Sequence, residues 1–314
     1  MAATANGTTY TVHDTTLAAG TPGRVIVPDG CAGIFLYCHG NNGNYLDLGA
    51  SGSFGKWFQV VVGEYRLAVA EATAGVSATD AGGNNYGNNY GRTVYEQVLA
   101  YADSLVGGTP GPVIVQGSSA GGMISAWLAA QAPFLAGRIA GWISHRGVVN
   151  AHRWRVGNEK GLGSTAPTPY DPEWQKAQLA VFNAAYGATL NTQTAYDASV
   201  VPARDPMLFP DADWQRVPYT LTVYGGADSV VPPYWHGTKL HTERLAPLLG
   251  DRSTHRVTPG ATHGINPAPS TFDEDTLLRS WLAVALGETG GPTPPPPVLN
   301  TNGSRAAARM LAAF

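Results

Sequence analysis

Apolar and polar positions alternate between two rhythms along this chain. Short, largely apolar runs occupy 33–38, 65–70, 113–116, 139–144 and 219–224, and 254–257 reads as a further short strand. Runs of that kind are expected of strands buried on both faces, as in a parallel sheet. Between them the apolar residues recur at helical spacing, over 54–62, 93–106, 123–131, 234–249 and 273–286. The first residues, 8–28, read as an opening β region whose clearest strand is 24–27, ahead of a Pro-Asp-Gly turn. Strands alternating with helices predict an α/β fold with a mainly parallel sheet flanked by helices.

Three stretches break the rhythm. Residues 148–213 are rich in Trp, Pro, Tyr and Asn, with one helical pattern at 173–186. They read as a cap inserted into a core domain spanning 1–287. A Gly/Asn-rich loop carries a short duplication, Asn84-Asn85-Tyr86-Gly87 followed by Asn88-Asn89-Tyr90-Gly91. It is either a contact for a polar substrate or a surface loop. Beyond the core, 288–314 form a Pro-rich linker, with Pro292 and Pro294 to Pro297, and a short tail ending in Met310, Leu311 and Phe314. Such a linker favours an extended spacer, and the tail reads as a frayed end or a tether to an assembly partner.

Composition narrows the function classes. The chain has 314 residues, 44% hydrophobic and 13% charged, with a net charge of -3 and no basic stripe, so nothing points to nucleic acid. No apolar run has the length of a membrane span. The first residues lack the basic and apolar regions of a secretory signal, which leaves cytoplasmic, virion-associated and mature secreted locations all compatible. Cys31 and Cys38 flank a predicted strand that sets them about 20 Å apart, beyond disulfide reach, and they show no zinc-ligand spacing.

The chemistry concentrates around Gly117-Ser118-Ser119-Ala120-Gly121, a G-x-S-x-G pattern between a predicted strand and a predicted helix. In that context the pattern marks a nucleophile elbow, where glycines let the backbone turn sharply beneath the serine. The alternative is a serine-rich turn that caps a helix. A serine needs a base, and the base an orienting acid. Asp228 follows the strand at 219–224, and His263 lies in the loop after 254–257, so Ser119, Asp228 and His263 stand in the chain order this fold requires. His145 and His236 compete as base, and Asp205, Asp211 and Asp213 compete as acid. For the developing oxyanion, the loop His39-Gly40-Asn41-Asn42-Gly43 offers the N–H of Asn41, or less favourably Gly40, and the elbow offers that of Ala120.

Together these residues resemble the α/β-hydrolase superfamily. Gly-Ser-Ser-Ala-Gly-Gly with an early His-Gly-Asn-Asn-Gly is similar to polyhydroxyalkanoate-depolymerase-like and feruloyl-esterase-like carboxylesterases. The resemblance covers roughly 20–287 and implies a triad mechanism without metal or organic cofactor. It leads to an expected serine-dependent carboxylic ester hydrolase, with Trp154, Trp174, Trp214, Tyr234 and Trp235 near its pocket. A serine peptidase or amidase on the same fold, an esterase mounted on a virion and acting on a bacterial cell envelope, and a structural or binding subunit are the other readings.

Overall fold

A computed structural model describes residues 2–17, 20–40, 55–73, 86–107, 111–156, 180–187, 189–190, 192–263 and 274–287. Nine strands form one sheet: β1 (Ala2–Ala5), β2 (Thr8–Thr16), β3 (Pro22–Pro28), β4 (Gly33–Cys38), β5 (Leu67–Ala72), β6 (Val113–Ser118), β7 (Ile139–His145), β8 (Thr220–Gly225) and β9 (Ser253–Thr258). They lie in the order β1-β2-β3-β5-β4-β6-β7-β8-β9. The pairs from β5 through β9 are parallel, whereas β1, β2 and β3 add on antiparallel. The sheet is thus mainly parallel, as the alternating rhythm predicts.

The continuous apolar runs have a direct structural reason. In β4, Ile34, Leu36 and Cys38 join one core, while Phe35 and Tyr37 join the other on the opposite face. On the first face they meet α2 (Asn89–Val106), through Val94, Tyr95, Val98 and Leu99, and α3 (Gly121–Gln131), through Ile124 and Leu128. On the second they meet Trp57 and Phe58 of α1 (Gly55–Phe58), the π-helical segment Gln59–Glu64 that continues it, and the helix Glu274–Ala285. Every residue of β4, β5, β6 and β8 is buried.

The opening β region resolves into three strands where the sequence pattern showed one clear one. β1 and β2 form a hairpin whose two turn residues, Asn6 and Gly7, both have positive φ, 44° and 82°. Asn-Gly is the dipeptide favoured in that turn, so the signal was present in the sequence. Helix α2 begins four residues earlier than its apolar spacing suggests. Asn88 caps it by accepting the Gly91 N–H at 2.9 Å, so the second copy of the duplication starts a helix.

Between β7 and β8 the chain runs through α4 (Ala151–Val156), a helical turn at 180–186, and the short helices Gln193–Asp197 and Asp211–Gln215. Trp154, Phe182 and Tyr196 pack there with Tyr86, Met123 and Tyr224 in a third apolar cluster. The tail, 288–314, lies outside the described residues, as does 173–179 of the helix expected at 173–186.

Candidate active site

Parallel pairing brings the carboxyl ends of β4, β6, β7, β8 and β9 to one edge: Cys38 sits opposite Gly117, Ser118 opposite His145, and Gly225 opposite Thr258. The chain passes from β4 to β5 on one side and then crosses from β5 to β6 on the other side of β4, so the edge holds a topological switch point, where crevices form in open α/β sheets.

Ser119 follows β6 in a left-handed conformation, φ 49°, a strained state that persists only where its surroundings fix it. Three backbone bonds do so. Ser119 N–H donates to the His145 carbonyl at 3.3 Å, and the Ser119 carbonyl accepts from Gly122 at 2.9 Å and Val148 at 2.7 Å. The flanking glycines are required by close approach: a Cβ on Gly121 would strike the Cys38 and His39 carbonyls, and one on Gly117 the Ser125 hydroxyl and the Gly121 carbonyl. The turn therefore closes because nothing protrudes inside it.

The side chains of Ser119, His263 and Asp228 form one hydrogen-bonded line. His263 Nδ1 lies 2.8 Å from Asp228 Oδ2 and Nε2 lies 2.9 Å from Ser119 Oγ. A carboxylate only accepts, so Nδ1 carries the proton and donates to Asp228; Nε2 is then left with a lone pair for the Ser119 hydroxyl. Asp228 is wholly buried, and its other oxygen accepts the N–H groups of Val230 (2.9 Å) and Val231 (2.8 Å). The loops carrying Asp228 and His263 are stitched together, Gly226 N–H to the Thr258 carbonyl and Ala227 N–H to the Ala261 carbonyl, both at 2.8 Å.

The rival residues are engaged elsewhere. His236 is buried, its Nδ1 accepts the Val149 N–H, and burial pushes its pKa down to about 3. The His145 ring faces Glu274 at 3.1 Å. Asp205 accepts from His152, Met207 and Tyr196, Asp211 from Arg244, and Asp213 from Gln131.

Of the residues expected around the oxyanion, Ala120 is buried at the start of α3, a helix that no side chain caps, so its amino end faces the elbow with the partial positive charge of aligned peptide dipoles. Asn41 lies outside the described residues. Gly40, just before it, reaches the elbow: a Cβ there would come 2.9 Å from Ser119 Cβ. The His39 ring donates from Nδ1 to the Gly40 carbonyl at 2.6 Å, and burial holds its pKa below the ordinary histidine value.

The expected aromatic residues divide. Trp214 packs against Trp142 and Phe209 in the main core, and Trp154 is buried edge-on to His236. Trp235 is half-buried with the Arg153 guanidinium 3.7 Å over its ring, and Tyr234 is exposed. Trp174 lies outside the described residues. Glu274 went unmarked in the sequence, because a carboxylate 129 residues from its histidine partner has no local signature.

No protein-family model and no curated protein sequence matches the chain. Solved structures do. A puromycin hydrolase superposes with a TM-score of 0.57 at 15% identity, over 92% of this chain and 41% of its own. An acylaminoacyl peptidase, solved with Z-Gly-Gly-Phe-chloromethyl ketone, gives 0.59 at 12% identity, over 88% and 41%. The protein has the α/β-hydrolase fold. A carboxyl esterase 2 from the mycorrhizal fungus Tuber melanosporum gives 0.51 at 16% identity, over 90% of this chain and 82% of its own. The chain thus spans about two fifths of the length of the first two and most of the third.

Proposed function

We propose that the protein is a serine hydrolase that cleaves carboxylic esters through an acyl-enzyme on Ser119. The observation that carries this reading is the hydrogen-bonded line from buried Asp228 through His263 to a serine held at φ 49°. In the proposed reaction His263 Nε2 takes the Ser119 proton as Oγ attacks the acyl carbon. Asp228 stabilises the imidazolium that results and keeps the ring oriented. The Ala120 and Asn41 N–H groups receive the oxyanion. His263 then gives its proton to the departing alcohol; a water, deprotonated by the same nitrogen, attacks the acyl carbon, and the bond to Ser119 Oγ breaks as His263 returns the proton to Oγ and the acid departs.

Hydrolysis of p-nitrophenyl esters from acetate to long acyl chains tests the reading, with Ser119→Ala beside the wild type. The variant should lose on the order of 10³-fold or more in kcat. Activity intact in Ser119→Ala would sink the assignment.

A serine peptidase or amidase is the second reading, favoured by the peptidase and puromycin hydrolase among the similar structures. Both reactions share the acyl-enzyme and differ in the leaving group. A p-nitrophenyl ester and a p-nitroanilide of one acyl group separate them: esterase action predicts turnover of the ester alone.

A further inference from the structure

Under the three site loops lies a charge that the proposed chemistry does not use. Glu274 opens the helix Glu274–Ala285 with its side chain 12% exposed. One carboxylate oxygen accepts from Arg146 at 3.0 Å and from the Thr258 hydroxyl at 2.9 Å, and the other accepts from His145 Nε2 at 3.1 Å. Burial opposes the charge, yet the His145 hydrogen bond, the Arg146 guanidinium and the Thr258 hydroxyl hold the Glu274 pKa down at about 2. Arg146 is 1% exposed and His145 2%.

Two of the residues that Glu274 grips, His145 and Thr258, hold parts of the site through their own backbone. The His145 carbonyl accepts the N–H of Ser119 at 3.3 Å and the Ser118 hydroxyl at 3.4 Å. The Thr258 carbonyl accepts the N–H of Gly226, two residues before Asp228, at 2.8 Å, and that of Ala261, two before His263, at 3.3 Å. Arg146 itself stands at φ 52°, the same left-handed region as Ser119, with its N–H on the Val223 carbonyl at 2.7 Å. A buried ion pair is a poor source of stability compared with apolar packing, and a strained residue persists only where its surroundings over-determine it. Both features sit where the ends of β7 and β9 must keep a fixed separation.

Resting on the reading of Ser119 as nucleophile, we propose that Glu274 is a positioning residue. Its carboxylate sets the nucleophile elbow, through His145 and Arg146, against the loops of Asp228 and His263, through Thr258. Displacements near 1 Å between reacting groups cost on the order of 10²-fold in rate, so the brace acts on kcat.

The experiment compares wild type, Glu274→Gln, Thr258→Val and Ser119→Ala in ester turnover and in the rate of fluorophosphonate labelling, well below each melting temperature. Gln keeps the shape but removes the charge: its amide N–H₂ either faces the Arg146 and Thr258 donors or turns to His145, whose ring must then change tautomer to accept at Nε2. Expected for Glu274→Gln is a loss of about 10- to 100-fold in kcat, a parallel loss in labelling rate, and a KM within about twofold of wild type. Thr258→Val removes one hydroxyl in an isosteric change and should show the same pattern at about 3- to 10-fold; it decides the matter if Glu274→Gln does not fold. Wild-type kcat and labelling in the folded variants, or a raised KM with kcat unchanged, overturn the positioning role. Turnover surviving in Ser119→Ala overturns the nucleophile itself.

Discussion

Asp228 has two oxygens with two separate tasks. Oδ1 accepts two backbone N–H groups, and Oδ2 accepts the His263 ring proton. This division makes Asp228→Asn informative. The amide oxygen must take the Oδ1 place, since an N–H₂ there would face two donors. The N–H₂ group is then turned toward His263 Nδ1, which becomes the acceptor, and the ring proton moves to Nε2. Histidine in that tautomer cannot take the Ser119 proton. The expected outcome is a fall in kcat of about 10³- to 10⁴-fold at unchanged fold, read by ester turnover and near-ultraviolet circular dichroism. A loss under tenfold would show that Asp228 does not set the tautomer.

Among the elements, the start of α2 joins two parts of the molecule. Asn88 caps the helix with its oxygen and donates its amide to the Ala185 carbonyl at 2.9 Å. Beside it Tyr186 donates to the Tyr86 carbonyl, and Arg204 donates to the Gly87 carbonyl and the Asn89 side chain. Residues 86–89, at the junction of the two copies of the duplication, therefore fasten the segment between β7 and β8 to the core. Asn88→Ala removes both bonds and should cost about 1–2 kcal/mol, lowering the melting temperature by roughly 2–6 °C. Asn88→Ser keeps a capping oxygen but loses the bond to Ala185, so its melting point should fall between the two. Equal melting points for Ser and Ala would mean that the cap adds nothing.

At the scale of the whole molecule, buried neutral histidines tie stability to pH. His236 is 2% exposed and accepts the Val149 N–H on Nδ1, a geometry that a protonated ring cannot keep. Its pKa, like that of His255, is pushed down to about 3, chiefly by burial. The unfolded chain takes up these protons near pH 6.5. Stability is therefore fully present above that value and falls as the pH drops from about 6.5 toward 3, by about 1.4 kcal/mol per pH unit for His236. Glu274 extends the trend: with a folded pKa of about 2 against an ordinary 4.5, its contribution is lost as the pH falls between them. Urea midpoints from pH 7 to pH 4 should decline steadily; a flat profile would show that these histidines are already protonated, or solvated, in the folded state.

The sequence by itself determined what short-range physics writes into neighbouring residues. Continuous apolar runs showed which strands are covered on both faces, and the glycines around Ser119 announced a turn that tolerates no side chain. Chain order singled out Asp228 and His263 as candidates for acid and base, although the hydrogen bonds of His263 to Asp228 and to Ser119 needed coordinates. The Asn6-Gly7 hairpin is legible in its turn dipeptide, although its strands lack a continuous apolar run. Tertiary structure alone decided the rest. Trp214 went into the main core, Asn88 became a fastening point for Ala185, and Glu274 came to lie beneath the site loops. Each of these depends on partners 97 to 129 residues away or on packing across the sheet. Local periodicity carries no record of which distant surfaces meet.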